Sequence, residues 1–267
     1  MSPSLSIENL TVAYHGKLAL QVDSLQIPQG SICGLVGMNG AGKSTLFKAL
    51  MGFVKPQKGQ ILIQERPNRY AQKHNLLAYM PQTEEVDWQF PIAVEEVVMM
   101  GRYGYLNFLR MPRIQDREIV RESLEQVELW PLRQRQIGEL SGGQKKRTFL
   151  ARAIAQIMTL GQPVRPSLLL LDEPFSGVDI RTEKMMIQRL LELQKQGHTI
   201  LISTHNLESI QTFCDQVILV NRTLLAYGET AKVFTPENLQ RAFSSTETAQ
   251  PTSTSWLSLE REVFQWS

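Results

Sequence analysis

Gly37-Met38-Asn39-Gly40-Ala41-Gly42-Lys43-Ser44 satisfies the pattern G-x-x-x-x-G-K-[ST], with Thr45 directly after it. The spacing follows from chemistry. Gly37, Gly40 and Gly42 let the backbone curl and aim its N–H groups inward at a chain of phosphates. Lys43 can then reach the outer phosphates as a point charge, and the Ser44 hydroxyl is placed for Mg²⁺. Upstream, Ser31 to Val36 is a short apolar run that reads as a buried strand. Downstream, Thr45 to Met51 has helical character and stops at Gly52. Strand, glycine loop and helix in that order are the context the pattern requires, because a helix N-terminus has its own affinity for anions. The chain is therefore expected to bind a nucleotide, ATP in the first instance, together with Mg²⁺.

The whole chain bounds what the nucleotide serves. At 267 residues it holds one large domain, or one domain with an inserted lobe. Its net charge of +2 gives no reason to expect a nucleic-acid partner. Cys33 and Cys214 lack metal-ligand spacing and read as small core residues. The first residues carry neither a basic region nor an apolar stretch, so no signal peptide is read. No apolar run approaches the length of a bilayer span. The expected location is cytoplasmic, with any membrane role exercised through a partner.

Along the chain, antiparallel strands come first, at Leu5–Ile7, Leu10–Val12 and Val22–Ile27. Gln60–Gln64 and Leu76–Met80 read as further strands. From about 84 to 158 the character is helical, with apolar residues at helical spacing over Val94–Met100 and Asp116–Leu129, and a long helix from Gly142 to Met158. Strands and helices then alternate at Leu168–Leu171, Thr182–Gln196, Thr199–Ser203, Leu207–Phe213 and Val217–Val220. That alternation predicts an α/β core with a mostly parallel sheet, split by the helical insert. The domain is expected to span 1–235. Residues 236–267 form a tail, Ser/Thr-rich after about 244, that reads as partly flexible. Trp256 and Trp266 in it have no functional reading.

Two further segments carry chemistry. Leu168-Leu169-Leu170-Leu171-Asp172-Glu173 is a buried strand delivering two carboxylates at its C-terminal end, where ligands of α/β sheets sit. Asp172 would hold Mg²⁺ and Glu173 would orient or deprotonate an attacking water. Leu140-Ser141-Gly142-Gly143-Gln144 starts a helix with Ser141 as its N-cap. A serine hydroxyl and glycine N–H groups at a helix start make a second anion site. A second such site on one chain suggests that two copies bring the two together.

With these residues the chain resembles the ATP-binding subunits of ABC transporters over about residues 5 to 235. The phosphate loop, Gln82, LSGGQ at 140–144, LLLLDE at 168–173, Ser176-Gly177-Val178-Asp179 and His205 occur in that family's order. The resemblance implies a P-loop NTPase fold and a head-to-tail homodimer with two ATP molecules sandwiched. Each nucleotide would meet residues 37–45 of one chain and Ser141, Gly142, Gly143 and Gln144 of the other. Tyr14 would stack on adenine. Gln82 would touch Mg²⁺ and the attacking water and sense the membrane partner. His205 would contact the γ-phosphate, with Glu173 and Lys43 completing the catalytic set. Asp179 would pass information across the dimer interface. The other histidines, His15, His74 and His198, have no such context and are read as ordinary. Integral membrane permease subunits, and indirectly a solute-binding protein, are the implied partners. The chain would sit peripherally on the cytoplasmic face of the inner membrane.

Gln82 to Pro91, followed by Val97-Val98-Met99-Met100-Gly101-Arg102-Tyr103-Gly104, resembles the ATPases of importers for manganese, zinc or iron, as does Asp172-Glu173-Pro174-Phe175-Ser176-Gly177-Val178-Asp179. Trp88, Phe90, Met99, Met100 and Tyr103 would suit a groove for a short helix from a membrane subunit, most of the methionines serving the insert's own core. Residues 157–167 form a longer link than the family leads one to expect, and Pro163 and Pro166 place it in a surface loop. An importer of chelated iron or another small solute is the alternative. A soluble ABC protein acting on DNA or ribosomes, or a small-molecule kinase, fits less well. There is one LSGGQ, no sustained heptad pattern, no basic tract and no added substrate domain.

Overall fold

A computed structural model describes residues 2–82, 90–106, 108, 111–161 and 163–244. Strands β1 (Pro3–Tyr14) and β2 (Lys17–Pro28) form a long hairpin, flanked by β4 (Lys58–Ile63) and the two-residue β5 (Arg66–Pro67). The hairpin turn is His15-Gly16, both at positive φ (48° and 78°), the conformation a two-residue hairpin loop needs to follow the strand twist. Sequence reading divided β1 into two short strands. One strand runs through both, with Asn9 at φ 49° taking up the irregularity beside Glu8.

The parallel core consists of β3 (Ile32–Val36), β6 (Leu77–Met80), β7 (Leu168–Asp172), β8 (Thr199–Ser203) and β9 (Gln216–Asn221), in the order β9-β3-β8-β7-β6. β10 (Thr223–Glu229) pairs antiparallel with β9 and meets β2 through one residue pair, Thr223 with Gln21. The antiparallel and parallel parts are thus joined into one ten-stranded sheet. β3, β7 and β8 are buried throughout, which is why they read as unbroken apolar runs. Their side chains alternate between two cores. Leu169, Leu171, Ile200 and Ile202 face one. Leu168, Leu170 and Leu201 face the other, beneath α1 (Lys43–Leu50). Each such leucine contributes about 2 kcal/mol by leaving water.

The helical insert contains α3 (Val94–Met99), a 3₁₀ turn (Met100–Tyr105), α4 (Ile114–Gln126) and α5 (Gly142–Ile157). The helix expected to run to Met100 gives way to that 3₁₀ turn because Gly101 packs directly on α5, where a Cβ would lie 2.3 Å from the Arg152 carbonyl. Arg102 is buried there. It pairs with Asp116 at 3.0 Å and donates to the carbonyls of Ala155 and Met158, closing the end of α5. α2 (Asn68–Lys73), α6 (Ile180–Lys195), α7 (Leu207–Phe213) and α8 (Thr230–Val233) complete the layers. Residues 236–243, assigned from the sequence to the tail, form α9 (Pro236–Phe243) instead, with Ala242 fully buried and Thr235 as N-cap. Trp256 and Trp266 lie outside the described residues.

Cys33 and Cys214 are free and buried, and burial raises the thiol pKa of both, that of Cys214 to about 12. His198 is buried at the turn between α6 and β8, and its Nδ1 has no hydrogen-bond partner among the described residues. Burial lowers its pKa to about 4, against about 6.5 in an unfolded chain. The unfolded state therefore binds the extra proton between those values. The contribution is intact above about pH 6.5 and is lost as pH falls toward 4. His198→Asn should remove about 2 kcal/mol of the stability difference between pH 7 and pH 5, read by denaturant titration at both.

Candidate nucleotide site

A cleft of about 600 Å³ opens at the C-terminal ends of β3 and β7. The tip of the β1–β2 hairpin, the loop entering α1, Gln82, the Asp172-Glu173 pair and His205 line it. Gly42 precedes α1 at φ 100°, a conformation that favours glycine, so the α1 N-terminus turns into the cleft. Gly37 is set by packing: an added Cβ would lie 2.2 Å from the Val220 carbonyl. Gly37→Ala must shift the loop or β9. An affinity loss of about tenfold or more for ATP is expected by calorimetry, with a Tm drop of several degrees. Gly37 and Ala41 shape the loop from behind, while Met38, Asn39, Gly40, Gly42, Lys43, Ser44 and Thr45 line the cleft.

Lys43 is buried, its Nζ donating to the carbonyls of Gly37 at 2.6 Å and Met38 at 3.2 Å. Burial lowers its pKa, and the nearby Glu173 and Asp172 carboxylates pull the other way. Asp172 is buried at the end of β7. One of its oxygens accepts from Ser203 Oγ and the other from Ser44 Oγ at 3.3 Å. A carboxylate and a hydroxyl side by side at a cleft wall form a hard-oxygen donor set suited to Mg²⁺.

Glu173 adopts φ 50°, the left-handed region that non-glycine residues seldom enter. Its N–H donates to both the carbonyl and Oγ of Ser203, each at 3.1 Å. The carboxylate is turned inward. Oε1 lies 3.0 Å from His205 Nε2, out of line for a hydrogen bond, and this buried oxygen has no hydrogen-bond partner among the described residues. An unpartnered buried carboxylate oxygen is unusual in a folded protein and points to a functional role.

The signature segment lies elsewhere. Ser141 caps α5: its Oγ accepts from Gln144 N at 3.3 Å and its N–H donates to Gln144 Oε1 at 2.9 Å, a capping box. Ser141 and Gly142 are exposed and do not line the cleft of their own chain. Asp179 is the N-cap of α6, accepting from Thr182 N and Oγ1 at 2.9 Å each, and these bonds hold its pKa below the usual carboxylate value. It stands beside the signature: a Cβ on Gly143 would be 4.0 Å from Asp179 Oδ2. The Asp-x-x-Thr capping pattern was legible in the sequence.

Tyr14 lines the cleft 39% exposed, free to present a ring face. His15, read from sequence as ordinary, lines it too, with Lys17, Leu18, Ala19 and Arg222. The hairpin and the β9–β10 turn bring them there, long-range placements with no local signature. Of the apolar residues read as a partner groove, Phe90, Met100 and Tyr103 are exposed, Met99 packs on the core, and Trp88 lies outside the described residues.

Comparison with known proteins shows the family. Residues 20–176 match the family model described as ABC transporter. The manganese transport system ATP-binding protein MntA of Synechocystis sp. is 55% identical over 240 residues, covering 90% of this chain and 89% of that one. The chelated iron transport system membrane protein YfeB of Yersinia pestis is 54% identical, covering 90% and 79%. The zinc transport system ATP-binding protein TroB of Treponema pallidum is 39% identical, covering 90% and 86%. Among solved structures, an inward-facing transporter described as of metal-chelate type superposes with a TM-score of 0.76 at 29% identity, covering 91% of this chain and 89% of that one. An ATP-binding cassette in its ADP conformation gives 0.75 at 25%, covering 90% and 98%. The chain belongs to the ABC transporter family as an ATP-binding cassette.

Proposed function

We propose that this chain hydrolyses ATP to ADP and phosphate to power import of a divalent metal ion, manganese first, zinc or iron next. The Glu173 carboxylate at the cleft wall, its Oε1 3.0 Å from His205 Nε2, carries the hydrolytic half of this reading. Glu173 orients the attacking water and takes up its proton, while His205 holds water and terminal phosphate in line. Lys43 leaves the Gly37 and Met38 carbonyls for the outer phosphates, and Tyr14 stacks on the base. Asp172, Ser44 and Gln82 hold Mg²⁺. When bound, it neutralises charge on the phosphate oxygens. The names of similar relatives, transport systems for manganese and zinc, support the metal. The 54% identity to a chelated-iron protein favours chelated iron as the second reading.

The second half of each site comes from another copy. Ser141 and Gly142 are exposed and Gly143 and Gln144 half-buried, away from their own cleft, at the start of a sixteen-residue helix whose dipole favours anions. Head-to-tail pairing sets them over the partner's ATP, with Asp179 next to them at the seam. Permease subunits dock on the insert, where Phe90, Met100, Tyr103, Met111 and Ile114 are exposed. No helix among the described residues is long and apolar enough to cross a membrane. Through its permease partners the chain sits peripherally on the cytoplasmic face of the inner membrane.

Mixing variants tests the sandwich. A Lys43→Ala chain and a Ser141→Arg chain are each expected to be inactive alone. Mixed, they form one intact composite site per heterodimer and recover ATPase activity. Absence of recovery in a mixture that dimerises contradicts the head-to-tail arrangement.

A further inference from the structure

Besides its exposed start, α5 reaches the hydrolytic residues of its own chain through Lys146. The Lys146 ammonium donates to the carbonyl of Gln82 at 2.8 Å and lies 3.4 Å from that of Glu173. These two carbonyls stand at matched positions. β6 and β7 are parallel neighbours with Met80 opposite Leu171, and Gln82 and Glu173 each follow two residues later. One cation thus ties the ends of two adjacent strands to each other and to α5. Glu173 depends on such ties. Its N–H is held by Ser203, and its carbonyl accepts from Lys146 and from Ser176 N at 3.3 Å. Fixing the peptide groups on both sides is what keeps a non-glycine residue at φ 50° and its carboxylate turned inward. Lys146 does not line the cleft, and Gln82 and Glu173, which do, connect it to the nucleotide site.

We propose that Lys146 is a positioning residue for hydrolysis, holding Glu173 in register and coupling it to the Gln82 segment. This rests on the ATPase reading above. Gln82 is where the chain leaves the sheet toward the insert and its exposed apolar face, so displacement of Gln82 pulls on the ammonium that Glu173 shares.

Steady-state ATPase of Lys146→Met and Lys146→Arg against the wild type tests it. Methionine keeps the stem and loses both hydrogen bonds, whereas arginine keeps N–H donors and the charge. For Lys146→Met, kcat should fall about fivefold or more while KM for ATP stays within about twofold. Its Tm should stay within a few degrees. Lys146→Arg should restore most of kcat. Amide exchange over 168–178 should quicken in Lys146→Met but not in Lys146→Arg. Wild-type kcat in Lys146→Met, a KM increase in place of the kcat loss, or Lys146→Arg as slow as Lys146→Met would overturn the proposal. If Lys146→Met does not fold, Lys146→Gln, which removes the charge and shortens the reach, is held to the same kcat and KM criteria. A wild type without ATPase activity removes the ATPase reading itself, a result distinct from every Lys146 outcome.

Discussion

Glu173→Gln is expected to bind ATP like the wild type while turnover falls by at least about a hundredfold, and to accumulate as a two-chain particle when ATP is present. The substitution keeps the shape of the side chain and removes its capacity to accept a proton. Nothing that binds the nucleotide is touched: Lys43, Ser44 and Asp172 keep their own partners. The loss therefore falls on kcat and not on affinity. A bound but uncleaved nucleotide keeps both halves of each composite site engaged. Size-exclusion chromatography with and without ATP reads the dimer, and phosphate release reads the turnover. Near-normal turnover would remove Glu173 from the chemistry, and a variant that binds ATP yet stays monomeric would remove the sandwich.

Lys43→Ala acts one step earlier. It removes the buried cation that lies among the loop carbonyls and leaves the buried Asp172 and Glu173 carboxylates without their nearby counter-charge. A charge-assisted bond to phosphate contributes about 1.5–3 kcal/mol, so ATP affinity should fall by about tenfold to a hundredfold. Calorimetric titration with ATP measures it. Unchanged affinity would mean that Lys43 stays on the Gly37 and Met38 carbonyls and never reaches the nucleotide.

Much of this was legible because the chemistry is local. The phosphate loop, the Asp172-Glu173 strand end and the Ser141 helix start are each contiguous, and each announces its element by spacing alone. The apolar runs of β3, β7 and β8 follow from burial on both faces. What escaped depends on distant contacts. His15 and Arg222 reach the cleft only because the sheet brings the β1–β2 hairpin and the β9–β10 turn to one rim. The shortened α3 follows from Gly101 lying on the Arg152 carbonyl, a contact between segments far apart in sequence. Helix α9 is a different kind of miss: Thr235-Pro236 is a plain capping signal, overshadowed by the Ser/Thr-rich stretch after it.

Elemental mass spectrometry of manganese, zinc and iron in cells carrying either the wild-type chain or Glu173→Gln tests divalent-metal import most directly, with each metal made limiting in turn. Selective depletion of one metal in the Glu173→Gln cells, manganese first, is the predicted result. Equal contents of all three metals in the two strains would contradict divalent-metal import by a transporter that this chain drives.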